Sequence, residues 1–139
     1  MTAAIVVLAA NQALAHGSES AAPPPAKKGP PTAPAQVVFT EHRGAMLTDP
    51  KGMTLYTFDR DVSGNKSNCD GKCAEKWVPF SASNDDKAFG DFTVITRDDG
   101  SKMWAYRYRP LYTSQDDKAP GEINGFDTNN LWHIARPAD

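Results

Sequence analysis

The chain has few of the residues on which most catalytic and metal sites depend. Its 139 residues include two cysteines and three widely separated histidines. No Gly-x-Ser-x-Gly, phosphate-binding loop or His-Glu-x-x-His pattern occurs, so the recognisable hydrolase, nucleotide and zinc-protease signatures are absent. The adjacent pairs Asp98-Asp99 and Asp116-Asp117 would point to opposite strand faces or into turns. We therefore expect no catalytic residues and a protein that is not an enzyme.

The chain also lacks an excess of charge of one sign. Its formal net charge is −2, and acidic and basic residues are interspersed through the second half. A nucleic-acid groove or a polybasic membrane patch needs a field of one sign, so we expect no nucleic-acid partner. No run of about 18 apolar residues occurs, and no transmembrane span is predicted in the mature protein.

The N-terminal region indicates export. The short apolar run AAIVVLAA, residues 3–10, is followed by Ala13-Leu14-Ala15, an Ala-x-Ala pattern that predicts a signal peptide at 1–15. A buried N-terminal helix or strand is the alternative. Residues 16–36 are rich in proline and alanine and have little to bury, so they are predicted to form a disordered linker. We expect a periplasmic or secreted protein, and no cysteine stands at the cleavage point to carry a lipid anchor.

Residues 37–136 are predicted to form one small, mainly β domain of antiparallel hairpins with at most a short helix. One hairpin would turn at Asp49-Pro50-Lys51-Gly52, where Asp, Pro and Gly take the places that a type I turn prefers. A second would turn at Asp98-Asp99-Gly100. The segment LWHIARP, 131–137, is typical of a closing strand, and only CAEKWV, 73–78, indicates a helical turn.

The domain contains a weak internal repeat. TLYTFDRDVSG, at 54–64, resembles PLYTSQDDKAPG, at 110–121, and a tryptophan follows later in each half, at Trp77 and Trp132. Two such units packed together would bury what neither could bury alone.

A row of aromatic residues follows the second predicted turn. Trp104, Tyr106 and Tyr108 alternate along one predicted strand, with Arg107 and Arg109 on its other face. Such a row could be a platform on which sugars or bases stack. We expect it to belong to the core, because a domain of this size needs large apolar side chains inside.

Several blocks of the domain resemble a known family. They are LTDPKGMTLYTFDRD, CDGKCAEKWVPF, YRPLYTSQDDKAPGEINGF and LWHIARP, in this order over about 100 residues. They are similar to the secreted repeats, or predicted lipoproteins, that share the motif Tyr-x-aromatic-x-x-Asp. Tyr56, Phe58 and Asp61 fit the motif in the first copy. Tyr112 and Asp117 fit it in the second, where serine replaces the aromatic residue. The resemblance implies an exported bacterial protein and carries no activity.

The cysteine pair has three possible roles. Cys69 and Cys73 lie four residues apart, and two nearby cysteines in an exported domain are expected to form a disulfide. So small a loop would stabilise the domain by about 2 kcal/mol. Alternatively, two thiolates could bind Cu(I) with a third ligand from His42, His133, Met46, Met53 or Met103. Catalytic redox exchange is the third possibility.

An acidic loop follows the spacing of an EF-hand. Asp59, Asp61, Ser63 and Asp70 take the first, third, fifth and twelfth positions, so the loop could wrap Ca²⁺. A solvated turn whose side chains bond to backbone N–H groups is the simpler alternative. The sequence therefore predicts an exported, non-catalytic envelope or binding module without a cofactor. Its partner would be an unknown envelope component or a small ligand, and a periplasmic copper- or calcium-binding protein is the alternative.

Overall fold

The computed structural model describes residues 32–126 and 128–138. The predicted signal peptide, 1–15, and most of the predicted linker, 16–36, lie outside the described residues. Short strands, one short α-helix, α1 (Lys72–Lys76), and one 3₁₀ turn (Thr128–Asn130) make up the regular structure of this part, which confirms the mainly β fold. The strands are β1 (Gln36–Thr40), β2 (Gly44–Thr48), β3 (Tyr56–Phe58), β4 (Trp77–Pro79), β5 (Ser81–Ala82), β6 (Phe92–Thr96), β7 (Lys102–Tyr106), β8 (Arg109–Pro110), β9 (Tyr112–Ser114) and β10 (Trp132–Ile134).

The strands form three antiparallel sheets. The first joins β1 to β2, the second has the order β10-β3-β9-β4, and the third has the order β5-β7-β6 with β8 also paired to β7. In the part of the chain that the structure describes, no helix has the length and apolar character that a membrane crossing needs.

The two repeats are interleaved in the central sheet. In the first repeat β3 pairs with β10 of the second, and β9 of the second pairs with β4 of the first. The two halves of this sheet meet where Tyr56 lies opposite Tyr112. Each repeat therefore completes its sheet with a strand of the other, which explains why two copies fold together.

Backbone hydrogen bonds beside this sheet repeat the same exchange. Phe80 of the first repeat lies between two segments of the second, and Ala135 of the second lies between two segments of the first. The carbonyl of each accepts an N–H from one segment, and its own N–H donates to the other. The bonds are Trp104 N to Phe80 O (2.8 Å) and Phe80 N to Leu111 O (2.9 Å), and Leu47 N to Ala135 O (2.9 Å) and Ala135 N to Leu55 O (2.8 Å). Leu47 and Trp104 are therefore equivalent positions in the two repeats.

One of the two predicted hairpins forms a full pair of strands, and the other forms its turn and a single bridge. The turn at Asp98-Asp99-Gly100 connects β6 to β7, as expected. The turn at 49–52 also forms, with the N–H of Gly52 bonded to the carbonyl of Asp49 at 2.9 Å. Beyond it, however, Thr48 and Thr54 make an isolated bridge, and the chain then leaves to become β3. The reason is burial, since β3 belongs between β10 and β9 in the core.

The predicted aromatic row is broken by a turn. Trp104 lies in the core and Tyr106 is half-buried, but β7 ends at Tyr106. Arg107 and Tyr108 form a two-residue connection to β8, with Tyr106 opposite Arg109. Tyr108 is consequently 75% exposed.

Candidate functional site

The tyrosines and aspartates of the family motif meet in the interior and exchange partners. The hydroxyl of Tyr56 donates to Asp117 Oδ2 at 2.7 Å, and the hydroxyl of Tyr112 donates to Asp61 Oδ2 at 2.6 Å. Each tyrosine therefore binds the aspartate of the other repeat, although an aspartate follows five residues later in its own. The motif fastens one repeat to the other.

The second oxygen of each aspartate holds a loop of its own repeat. Asp61 Oδ1 accepts the N–H of Asn68 at 2.6 Å, and Asp117 Oδ1 accepts the N–H of Asn124 at 2.7 Å. Each asparagine side chain donates back to the carbonyl that precedes the aspartate, at 2.6 Å and 3.0 Å. Sequence reasoning missed these asparagines. Because both stand seven residues after the aspartate, aligning the repeats further along would have found them.

The first repeat adds a buried arginine to this network. Ser67 Oγ lies 2.6 Å from the Tyr112 hydroxyl, and Arg97 Nη1 donates to Ser67 Oγ at 2.9 Å. Since Tyr112 gives its proton to Asp61, Ser67 donates to Tyr112. Arg97 Nη2 also donates to the carbonyl of Cys69 at 2.7 Å and pairs with Asp70 at 3.0 Å. A charge of the second repeat thus holds the 67–70 loop of the first.

Aromatic rings pack around the exchanged pairs. Trp77 and Trp132 stack with their centroids 3.8 Å apart, Tyr56 packs edge-on against Trp77, and Tyr112 packs edge-on against Trp132. Phe58 stacks on Trp132 at 4.2 Å. Each tyrosine therefore packs against the tryptophan of its own repeat, whereas the stacks of Trp132 on Trp77 and on Phe58 join the two repeats.

The serine in the second copy of the motif has a structural explanation. Phe58 has Ser114 as its counterpart, and the backbone of Gly125 lies against Trp77 on that side. A Cβ on Gly125 would come within 2.6 Å of Trp77 and 3.2 Å of Ser114. The close approach of the backbone therefore requires glycine at 125 and leaves little room for an aromatic side chain at 114.

The protonation of the cluster suits a structural role. Burial, reinforced by the neighbouring aspartates, raises the pKa of Tyr56 and of Tyr112, so both hydroxyls keep their protons and donate. Burial also raises the pKa of Asp61 and of Asp117, although the tyrosine and asparagine donors act against it. Because these groups are bonded to one another, the cluster stabilises the fold.

In the structure, the four residues of the predicted calcium loop each contact a different partner. Asp59 contacts His133 at 2.8 Å, and Ser63 donates to Asn65 at 2.9 Å. Asp61 binds Tyr112 and Asn68, and Asp70 pairs with Arg97, as described above. Across residues 32–126 and 128–138, no three His, Cys, Asp or Glu side chains are grouped so that they could hold a metal ion.

The two cysteines form a disulfide in the structure, with the sulfur atoms 1.99 Å apart. Cys69 is buried in the core, and Cys73 packs at its margin. In this oxidised form neither sulfur is a thiolate, which Cu(I) binding would need. The bond closes the loop that Arg97 holds at Cys69 and Asp70.

A groove of about 390 Å³ lies at the surface beside this loop. Its lining residues are Gly64, Asn65, Thr93, Val94, Ile95 and Tyr108. A groove over the face of a strand would be lined by alternate residues, whereas three consecutive residues of β6 line this one. The groove therefore runs along the edge of β6, between that edge and the 64–65 loop.

The edge of β6 in the groove has free backbone groups. Phe92 exchanges both its N–H and its C=O with Phe89, at 2.8 and 2.9 Å, so Phe92 faces away from β7. The two-residue period of a strand turns Val94 the same way. In the described ranges, the N–H and C=O of Val94 have no backbone partner outside the β6–β7 pair. They are directed into the groove.

The fold defines a class of protein: a β domain made of two repeats that exchange strands and tyrosine–aspartate contacts. The family described as a secreted repeat of unknown function matches the chain at residues 37–81 and 93–136. The chain belongs to this family, as its sequence motifs indicate. No curated protein and no solved structure matches the chain.

A double-mutant cycle tests the exchange of partners. Tyr56→Phe removes a hydroxyl that donates to a buried carboxylate, and we expect it to lower the free energy of unfolding by about 1.5–3 kcal/mol. Combined with Asp117→Asn, the loss should differ from the sum of the single losses by about 1 kcal/mol or more. Combined with Asp61→Asn, the losses should add to within about 0.5 kcal/mol. Urea unfolding at neutral pH measures all of these. Coupling of Tyr56 to Asp61 instead of Asp117 would contradict the exchange.

The pH dependence of stability tests the state of Asp117. Burial raises the pKa of Asp117 in the folded protein. The contribution of Asp117 to stability is therefore complete below its pKa in the unfolded state, about 4, and is lost as the pH rises through its pKa in the folded state. The free energy of unfolding at about pH 4.5 minus that at about pH 7 should therefore be more positive in the wild type than in Asp117→Asn.

Asp99→Asn is the matched control for this measurement. Ser101 donates to Asp99 and lowers its pKa, so its contribution is present above the unfolded value and is lost as the pH falls. In Asp99→Asn, the free energy of unfolding at about pH 4.5 minus that at about pH 7 should therefore be slightly more positive than in the wild type. An identical difference in Asp117→Asn and the wild type would show that Asp117 titrates alike in both states.

Proposed function

We propose that this protein is an exported, non-catalytic binding module that holds an extended peptide segment in the groove along β6. The observation that carries the proposal is the free edge of β6, whose Val94 N–H and C=O are directed into a lined groove. An extended peptide satisfies such groups by adding a strand to the sheet, and its alternate side chains give specificity. The secreted character of the family supports a periplasmic or secreted location.

The lining of the groove favours an uncharged peptide. No lining residue carries a formal charge at neutral pH, and the valine, isoleucine and tyrosine contribute mostly apolar surface. Thr93 and Asn65 offer the polar groups. A peptide with small apolar or hydroxyl side chains at alternate positions fits this surface better than a charged ligand, because a charge would lose water without finding a counter-charge.

The tyrosine in the wall of the groove is held in a strained turn. Arg107 and Tyr108 have φ values of 46° and 64°, a conformation that two-residue hairpin turns require and for which Asn-Gly is preferred. Side chains larger than glycine cost of order 1 kcal/mol each there. The turn places Tyr108 against Gly64, where an added Cβ would approach the tyrosine to 2.6 Å. A strained position with an exposed aromatic side chain supports a binding role.

Peptides selected from a random dodecapeptide phage library on the immobilised full chain test this function. Tyr108→Ala should weaken their binding about tenfold or more, because it removes an aromatic wall. Phe126→Ala, at a 42% exposed aromatic residue outside both the groove and β1, is the matched control and should leave binding unchanged. In the complex, amide exchange of Val94 should slow, while that of Ile95, bonded to β7 in the free protein, should change little.

Two outcomes would contradict the proposal. One is a set of peptides whose affinity Tyr108→Ala does not alter. The other is a loss of binding in Tyr108→Ala without any slowing of Val94 exchange, which would mean that the ligand stacks on the ring and does not join the sheet. A titration with tri-N-acetylchitotriose distinguishes a sugar ligand, since it would move the Tyr108 resonances and leave the Val94 amide unprotected.

The strain in the turn gives a second test. Replacing Arg107-Tyr108 by Asn-Gly should raise the free energy of unfolding by on the order of 1 kcal/mol, because both positions then fit their backbone conformation. The lost contact between Arg107 and Asp91 is exposed and contributes little. The same variant should lose peptide binding. Urea unfolding and the phage-selected peptides measure the two effects, and a less stable variant would refute the assignment of strain.

A further inference from the structure

The strand β1 has exposed apolar side chains on both of its faces. Phe39 is 79% exposed, Val37 52% and Val38 36%. The strand contains no charged residue and no proline, the two features with which proteins usually protect an edge strand from pairing with another chain. In the described part of the chain β1 pairs with β2 along one side, and its other edge has no strand partner.

The free backbone groups of β1 can be assigned from its partner strand. Leu47 of β2 gives its N–H to Ala135 and receives the N–H of Leu55 on its carbonyl, so both of its groups face away from β1. Val37 lies opposite Leu47, and the N–H and C=O of Val37 therefore face the open edge. The strand period directs those of Phe39 the same way, while Val38 is bonded to β2.

The second repeat shows that this exposure is not a general feature of the fold. Leu47 is equivalent to Trp104, as their backbone bonds show, so the residues opposite them, Val37 and Val94, are equivalent as well. It follows that Val38 corresponds to Ile95, which is 6% exposed, and Phe39 to Thr96. At the outermost position the second repeat has a polar residue and the first has an exposed aromatic one.

We propose that β1 pairs with β1 of a second copy of this chain, antiparallel, about a two-fold axis at Val38. This register places Val37 opposite the partner's Phe39, and both residues direct their N–H and C=O outward, so each such pair exchanges two hydrogen bonds. Val38 meets its own copy as a closely spaced pair without hydrogen bonds. The two β1–β2 sheets become one four-stranded sheet.

The strand is complementary to itself in chemistry as well as in register. The aromatic side chain of Phe39 meets the β-branched Val37 of the other copy, a favourable cross-strand pair. Gln36 lies opposite Thr40, and no charge is placed against a like charge between 36 and 40. A pairing of five residues buries less than the roughly 1,200 Å² of a standard interface, so the dimer is weak and forms as the concentration rises.

Sedimentation equilibrium on the full chain tests the dimer, from about 10 μM to about 1 mM, where weak interfaces associate. The wild type should pass from monomer to dimer over this range. Val38→Lys should raise the dissociation constant about tenfold or more, because two like charges then face each other across the axis. Val62→Lys is the matched control: Val62 is 86% exposed and lies outside β1, so its dimer should equal that of the wild type.

Mixing two variants tests the register itself. Val38→Glu should weaken the dimer as Val38→Lys does, but an equimolar mixture of the two should dimerise at lower concentration than either variant alone, because opposite charges then meet at the axis. Amide exchange of Val37 and Phe39 should slow as the wild type dimerises, with that of Val38 unchanged.

A wild type that stays monomeric at all concentrations, or a dimer that Val38→Lys leaves intact, overturns the proposal. A mixture that remains monomeric overturns the register. None of these results depends on the β6 groove.

Discussion

The fold depends on two hydrogen bonds, a buried one from Tyr56 to Asp117 and a partly buried one from Tyr112 to Asp61. Each crosses from one repeat to the other, and each carboxylate uses its second oxygen to hold the loop that follows it. A carboxylate in this position without its tyrosine would be buried and poorly satisfied, which is far more costly than the loss of an exposed hydrogen bond. Neither repeat can meet that requirement alone. The exchange of β4 and β10 and the stacking of Trp77 on Trp132 follow the same two-fold relation, so sheet, core and polar contacts all require both copies.

Much of this was visible in the sequence, because local signals specify local structure. The turn at Asp98-Asp99-Gly100 follows from residue preferences, and the repeated Leu-Tyr-Thr identified the two units. The helical turn predicted at 73–78 forms at Lys72–Lys76, while Trp77 and Val78 belong to β4. The exchange of partners could not be read in the same way. Tyr56 has an aspartate five residues later in its own repeat and an equivalent one in the other, and sequence spacing cannot choose between them. The choice depends on which strand lies beside β3, and that is a long-range contact.

The candidate sites show the same division. Asp59, Asp61, Ser63 and Asp70 have the spacing of a calcium loop, but spacing alone does not reveal competing partners. Here His133 and Arg97, distant in sequence, bind two of them, and Tyr112 binds a third. The groove along β6 had no signal in the sequence, because it is formed by a loop of one repeat and a strand of the other. Its strained Tyr108 was misplaced in a continuous strand since the aromatic alternation extends across the turn.

The buried network and the groove are parts of one arrangement. The loop that forms one wall of the groove, 62–66, is held at its start by Asp61, through Tyr112 and Asn68. Its end is held by Arg97, which reaches from the end of β6 to Ser67, Cys69 and Asp70, and by the disulfide. Both ends of the wall are thus fixed relative to the strand that forms the floor. A groove with fixed walls loses less conformational entropy when a ligand binds than a mobile loop would. The arginine and the disulfide accompany the loop of the first repeat, which is the loop that faces the free edge of β6.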